Sequence, residues 1–120
     1  MSSVLIVGLF FIFNMKAMAQ DQLSVVPGLP GDVNKIVITS CVSCHSDQGK
    51  SMAKAKLNFS VWANYSPEKQ KKIAKKMYSE IDKGKMPPKT ARAMHPKLIP
   101  TKEQAEIIRK WSESLADVKK

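Results

Sequence analysis

The chain predicts a small all-α domain, on three observations. Apolar residues recur at helical spacing in three separate stretches, each marked by residues that favour helix ends. Nothing alternates strands with helices in the manner of a βαβ unit. There are no internal repeats or low-complexity tracts, so the elements belong to one domain.

The first segment is expected to be a leader and not part of that domain. Val4 to Phe13 reads VLIVGLFFIF, an apolar run of the length of a signal-peptide core, and Ala17-Met18-Ala19 supplies the small residues that precede cleavage. Met1-Ser2-Ser3 carries no basic residue, which departs from the usual pattern. Ten apolar residues fall short of the roughly 20 that span a bilayer, so cleavage is expected over an uncleaved anchor. The expected organisation is therefore a signal peptide over 1–19 and a domain over 20–120, exported to the periplasm or beyond.

The elements of the domain follow in order. Val25 to Gly31, with two prolines and two glycines, reads as a turn-rich lead-in. Asp32 is placed to cap a first helix, with Val33, Ile36 and Val37 as its apolar stripe. The β-branched run Ile36-Val37-Ile38-Thr39 also suits a strand. Ser46 to Lys56 is polar and basic and reads as a loop. For the second helix, Ser66 is the N-cap, Pro67 fits the first helical position and Gly84 ends the run. Ile73, Met77 and Ile81 form its apolar face, Met77 being a core residue. A third helix follows Pro100, where Thr101 and Gln104 form a capping box and Ala105, Ile108, Trp111 and Leu115 form the stripe.

The two cysteines lie in Cys41-Val42-Ser43-Cys44-His45, the C-x-x-C-H spacing of c-type haem attachment. On a helical turn the three side chains leave one face. The thiols can then form thioethers with haem vinyl groups while the imidazole of His45 binds iron as the proximal ligand. A redox disulfide is the first competing reading, though its usual βαβ setting is missing. A zinc site is the second, and it would have to draw on His45 and His95 beside the two thiols. The expected cofactor is one covalently bound haem c.

The sixth iron ligand separates an electron carrier from a ligand-binding haem. Met86 in Lys85-Met86-Pro87-Pro88 is the first candidate, because Pro87 keeps it out of the helical region and the double proline stiffens the loop. His95 and Met94 compete from the turn Ala93 to Pro96, and Met52 is more distant. Phe59, Trp62, Tyr65, Tyr78 and Trp111 are placed either to line a haem cleft or to fill the core. Asn58 and Asn64 match the glycosylation pattern, a weak signal at three residues.

The charge is strongly basic, a formal +10. Loss of 1–19 would remove only Lys16 and leave 19 basic residues against 10 acidic ones. Such a balance points to an acidic partner. Nucleic acid is not expected, since the lysines are scattered without aromatic interleaving and export would separate the two. No nucleophile with its base, paired carboxylates or phosphate loop is present, so no enzymatic activity is expected.

Several blocks in order then carry a resemblance. After C-V-S-C-H come L-N-F-S-V-W at Leu57 to Trp62, Y-S-P-E-K at Tyr65 to Lys69, G-K-M-P-P-K at Gly84 to Lys89, H-P at His95 and Pro96, and a last helix with Trp111. Over about 35 to 117 the chain resembles the bacterial haem-binding domain family of the cytochrome c superfamily. The resemblance implies a small cytochrome c-like helical fold around one covalently attached haem, with first and last helices crossing. It also implies attachment at Cys41 and Cys44, proximal His45 and distal Met86. Family members usually have a longer stretch between the haem motif and the N-F-S block than Ser46 to Leu57. The expected function is that of an exported monohaem c-type cytochrome passing single electrons between redox proteins with acidic docking surfaces, and touching membranes only through them. The alternative is a haem sensor or small-ligand module with an open or displaceable sixth position.

Overall fold

The computed structural model describes residues 24–115, so the expected leader at 1–19 lies outside them. Every regular element among the described residues is helical: α1 (Gly31–Ser40), α2 (Ser51–Lys56), α3 (Pro67–Asp82), α4 (Lys89–Met94) and α5 (Lys102–Ser114), with 3-10 turns at Phe59–Asn64 and Pro96–Leu98. None of the helices is long and apolar enough to cross a membrane.

The β-branched run folds into α1 because Val33, Ile36 and Val37 are buried on one face, and burial outweighs local preference. Its start differs from the expected one. Pro30 occupies the N-cap position without a side-chain bond, and its carbonyl accepts from the Asn34 N–H. Asp32 lies in the first turn instead, accepting from the Val33 N–H at 2.8 Å and favouring the positive helix end. α1 stops at Ser40, where the Cys41 and Val42 N–H groups both donate to the Val37 carbonyl at 2.9 and 3.1 Å.

Helix α3 begins as expected, with the Ser66 hydroxyl accepting from the Lys69 N–H and Pro67 at the first position. It ends at Gly84, whose φ of +70° only glycine adopts without strain. The Gly84 N–H donates to Ile81 and the Lys85 N–H to Glu80, the paired bonds of a Schellman ending. At α5 the Thr101 and Gln104 side chains each accept from the other's backbone N–H, completing the capping box.

Helix α5 packs against α3 and α1, and Pro96–Leu98 also rests on α1. The core between them holds Val26, Val33, Val37, Phe59, Trp62 and Ile108. Trp62 is 1% exposed and lies 5.7 to 5.9 Å, centroid to centroid, from Phe59, Tyr65 and Trp111, in tilted or edge-on arrangements.

The stretch read as a loop contains a helix, and a second short helix runs into the turn read at Ala93 to Pro96. Residues 51–56 form α2, which buries none of its side chains and has no side-chain cap. It therefore leaves no apolar stripe in the sequence; its only local sign is the run of good helix formers Met52, Ala53, Lys54 and Ala55. Residues 89–94 form α4, equally without a buried residue.

Candidate functional site

Residues 41–45 make a tight turn in which the Cys41 carbonyl accepts from the N–H groups of Cys44 at 3.2 Å and His45 at 2.9 Å. Cys41, Cys44 and His45 all line one cavity of about 470 Å³. That size and its mainly apolar wall suit an organic cofactor. Helix α3 supplies Ile73, Met77 and Ile81 to the wall, the loop after it Met86, Pro87 and Pro88, and the later segments Ala91 and Leu98.

The ring of His45 is fixed by backbone. Its Nδ1 lies 2.9 Å from the Ala53 carbonyl and 3.1 Å from the Leu57 carbonyl. Carbonyl oxygens only accept, so Nδ1 carries the hydrogen and donates it, and the lone pair belongs to Nε2. A metal-binding imidazole is held in this way, the second nitrogen free to ligate. The Ala53 carbonyl also accepts from the Leu57 N–H at 3.0 Å, so the ring shares the last backbone bond of α2.

The turn is anchored from behind by the Asn58 to Tyr65 block. The His45 carbonyl accepts from the Phe59 N–H at 2.9 Å, and the Ser60 hydroxyl accepts from the Asp47 N–H at 3.0 Å. The Asn58 amide donates to Asp47 at 2.8 Å, while its backbone N–H donates to the Tyr65 hydroxyl at 3.0 Å. Asn58 is thus buried and bonded, which removes it as a glycosylation acceptor. Gly49 closes the loop against this turn. A Cβ there would stand 1.9 Å from the Cys44 carbonyl oxygen, so no other residue fits without moving the backbone of the motif.

Both cysteines are free. Burial, with a smaller repulsive contribution from Cys44, pushes the Cys41 thiol up to about 12. A protonated Cys41 is a poor redox nucleophile, which counts against the disulfide reading. Among the described residues no three His, Cys, Asp or Glu side chains cluster as a metal cage requires.

Of the candidate sixth ligands, Met86 lines the cavity and is half-buried, its backbone N–H tied to the Glu80 carbonyl at 3.1 Å. Met52 also lines it, from α2. Met94 and His95 are exposed and lie outside the cavity lining. Met77 belongs to the core as expected, yet it also forms cavity wall. None of Phe59, Trp62, Tyr65, Tyr78 and Trp111 lines the cavity; they pack in or against the core. The Ala53 and Leu57 carbonyls and Gly49 were not apparent from the sequence. The first two act through backbone, and a glycine declares its role only when the opposing chain is known.

These donors fit a haem: two thiols, an imidazole with one nitrogen already bonded, and a thioether share a cavity without converging on one point. A family model described as a haem-binding domain matches residues 50–114, which take in Met86, Ala53 and Leu57 and begin just after the cysteine motif. No curated protein and no solved structure shows significant similarity to the chain.

Proposed function

We propose that this chain, which belongs to the haem-binding domain family, is an exported monohaem c-type cytochrome that carries single electrons between redox partners with acidic docking surfaces. Haem bound in the cavity supplies an iron that takes up and returns one electron. Cys41 and Cys44 hold it through thioethers, and His45 presents Nε2 while the Ala53 and Leu57 carbonyls hold the ring in place. Met86 would supply its thioether as the second protein ligand to that iron. Tied to the end of α3 and followed by two prolines, it needs little rearrangement between oxidation states.

The observation that carries this reading is the pair of carbonyls on His45 Nδ1, which leaves the ring one nitrogen for a metal. The purified protein should keep its haem through denaturation and acidified-acetone extraction, with a low-spin spectrum in both oxidation states. Haem passing into the solvent would end the covalent assignment. Ready binding of carbon monoxide by the unmodified ferrous protein would replace the carrier with the sensor.

A further inference from the structure

We propose that α2 presents the docking face of this protein, and that its occupant is an acidic surface of a redox protein seated on Met52 and held by the lysines that share its cavity lining. This rests on the carrier reading. Helix α2 gives no side chain to the core and is held by backbone, through the Ala53 and Leu57 carbonyls on His45. Its side chains are thus free of packing demands from within. Met52 is 78% exposed, the most exposed large apolar residue among those described, and it lines the cavity. It therefore stands at the mouth.

Exposed lysines share that lining. Lys50, Lys56 and, from α3, Lys76 line the same cavity, and Lys54 is exposed on α2. No acidic residue interrupts the sequence from 48 to 67, and the one carboxylate in the cavity lining, Glu80 on α3, is half-buried while these lysines are exposed. An apolar contact inside a basic rim suits a transient complex, where charge guides approach and the small dry centre limits residence. A membrane is the weaker occupant, since a helix that lies in lipid presents a broad apolar face and α2 has one long apolar side chain.

Met94 provides the internal control, being 71% exposed and outside the cavity lining. Haem-loaded full-length protein is treated with limiting chloramine-T, alone and with an acidic blue-copper protein as probe, and sulfoxide at each methionine is read by mass spectrometry. Oxidation of Met52 should slow by about threefold or more with the probe at low salt, while Met94 is unchanged. The protection should vanish at 1 M salt, where the screening length is about 3 Å. Lys56→Gln, one turn from Met52 and in the same lining, should weaken the protection, and Lys110→Gln, on α5, should not. Equal slowing at both methionines, no slowing at Met52, or a Met52 already unreactive in the free haem protein overturns the proposal. So does protection by phosphatidylserine vesicles but not by the probe. Electron transfer to an uncharged quinone reads the carrier function separately. Transfer without protection leaves the carrier and removes the docking face; protection without transfer supports the face and removes the carrier.

Discussion

The imidazole Nδ1 of His45 donates to the carbonyl of Ala53 at 2.9 Å, so a helix with no buried side chain orients an imidazole of the cavity wall. A carbonyl acceptor on Nδ1 strengthens Nε2 as a donor and favours the oxidised metal. Ala55→Pro, inside α2, should cost about 3 kcal/mol of helix and loosen both carbonyls. The reduction potential should rise. An unchanged potential in a variant whose stability has fallen would show that the ring is oriented by something other than α2.

Gly49→Ala tests the turn that holds the cysteines. With Cβ 1.9 Å from a backbone oxygen, the motif or the loop must shift, at a cost of about 1–3 kcal/mol. Thermal melting should fall accordingly, and the fraction of protein carrying covalent haem should drop. A variant with wild-type melting and full haem content would mean that the loop at 49 sits elsewhere.

Met86→Ala and His95→Ala separate the two sixth-ligand candidates. Loss of Met86 should abolish the weak near-infrared sulfur-to-iron band of the ferric protein, lower the potential and open the iron to carbon monoxide. His95, exposed and outside the cavity lining, should be replaceable without spectral change. The reverse pattern would assign a bis-histidine site.

Gly84→Ala probes how Met86 is held. An L side chain at φ +70° costs about 1–2 kcal/mol, and relieving it disturbs the bonds that Glu80 makes to Lys85 and Met86. The melting temperature should fall and ferrous carbon monoxide binding should appear in part. Full retention of the near-infrared band would show that the prolines alone hold the loop.

The helical class, the caps at Ser66 and Thr101, the ending at Gly84 and the fixed spacing of Cys41, Cys44 and His45 were all legible in the amino-acid sequence. Each depends on a residue acting within a few positions of itself, through a hydroxyl, a left-handed φ or a fixed spacing. Tertiary structure decided the rest. It placed Met86 and not His95 on the cavity, put the aromatic cluster in the core and not in the cavity wall, and set two carbonyls from α2 against His45. Backbone oxygens are the same in every residue, and a six-residue helix that buries nothing prints no periodicity, so their part appears only once distant segments are brought together.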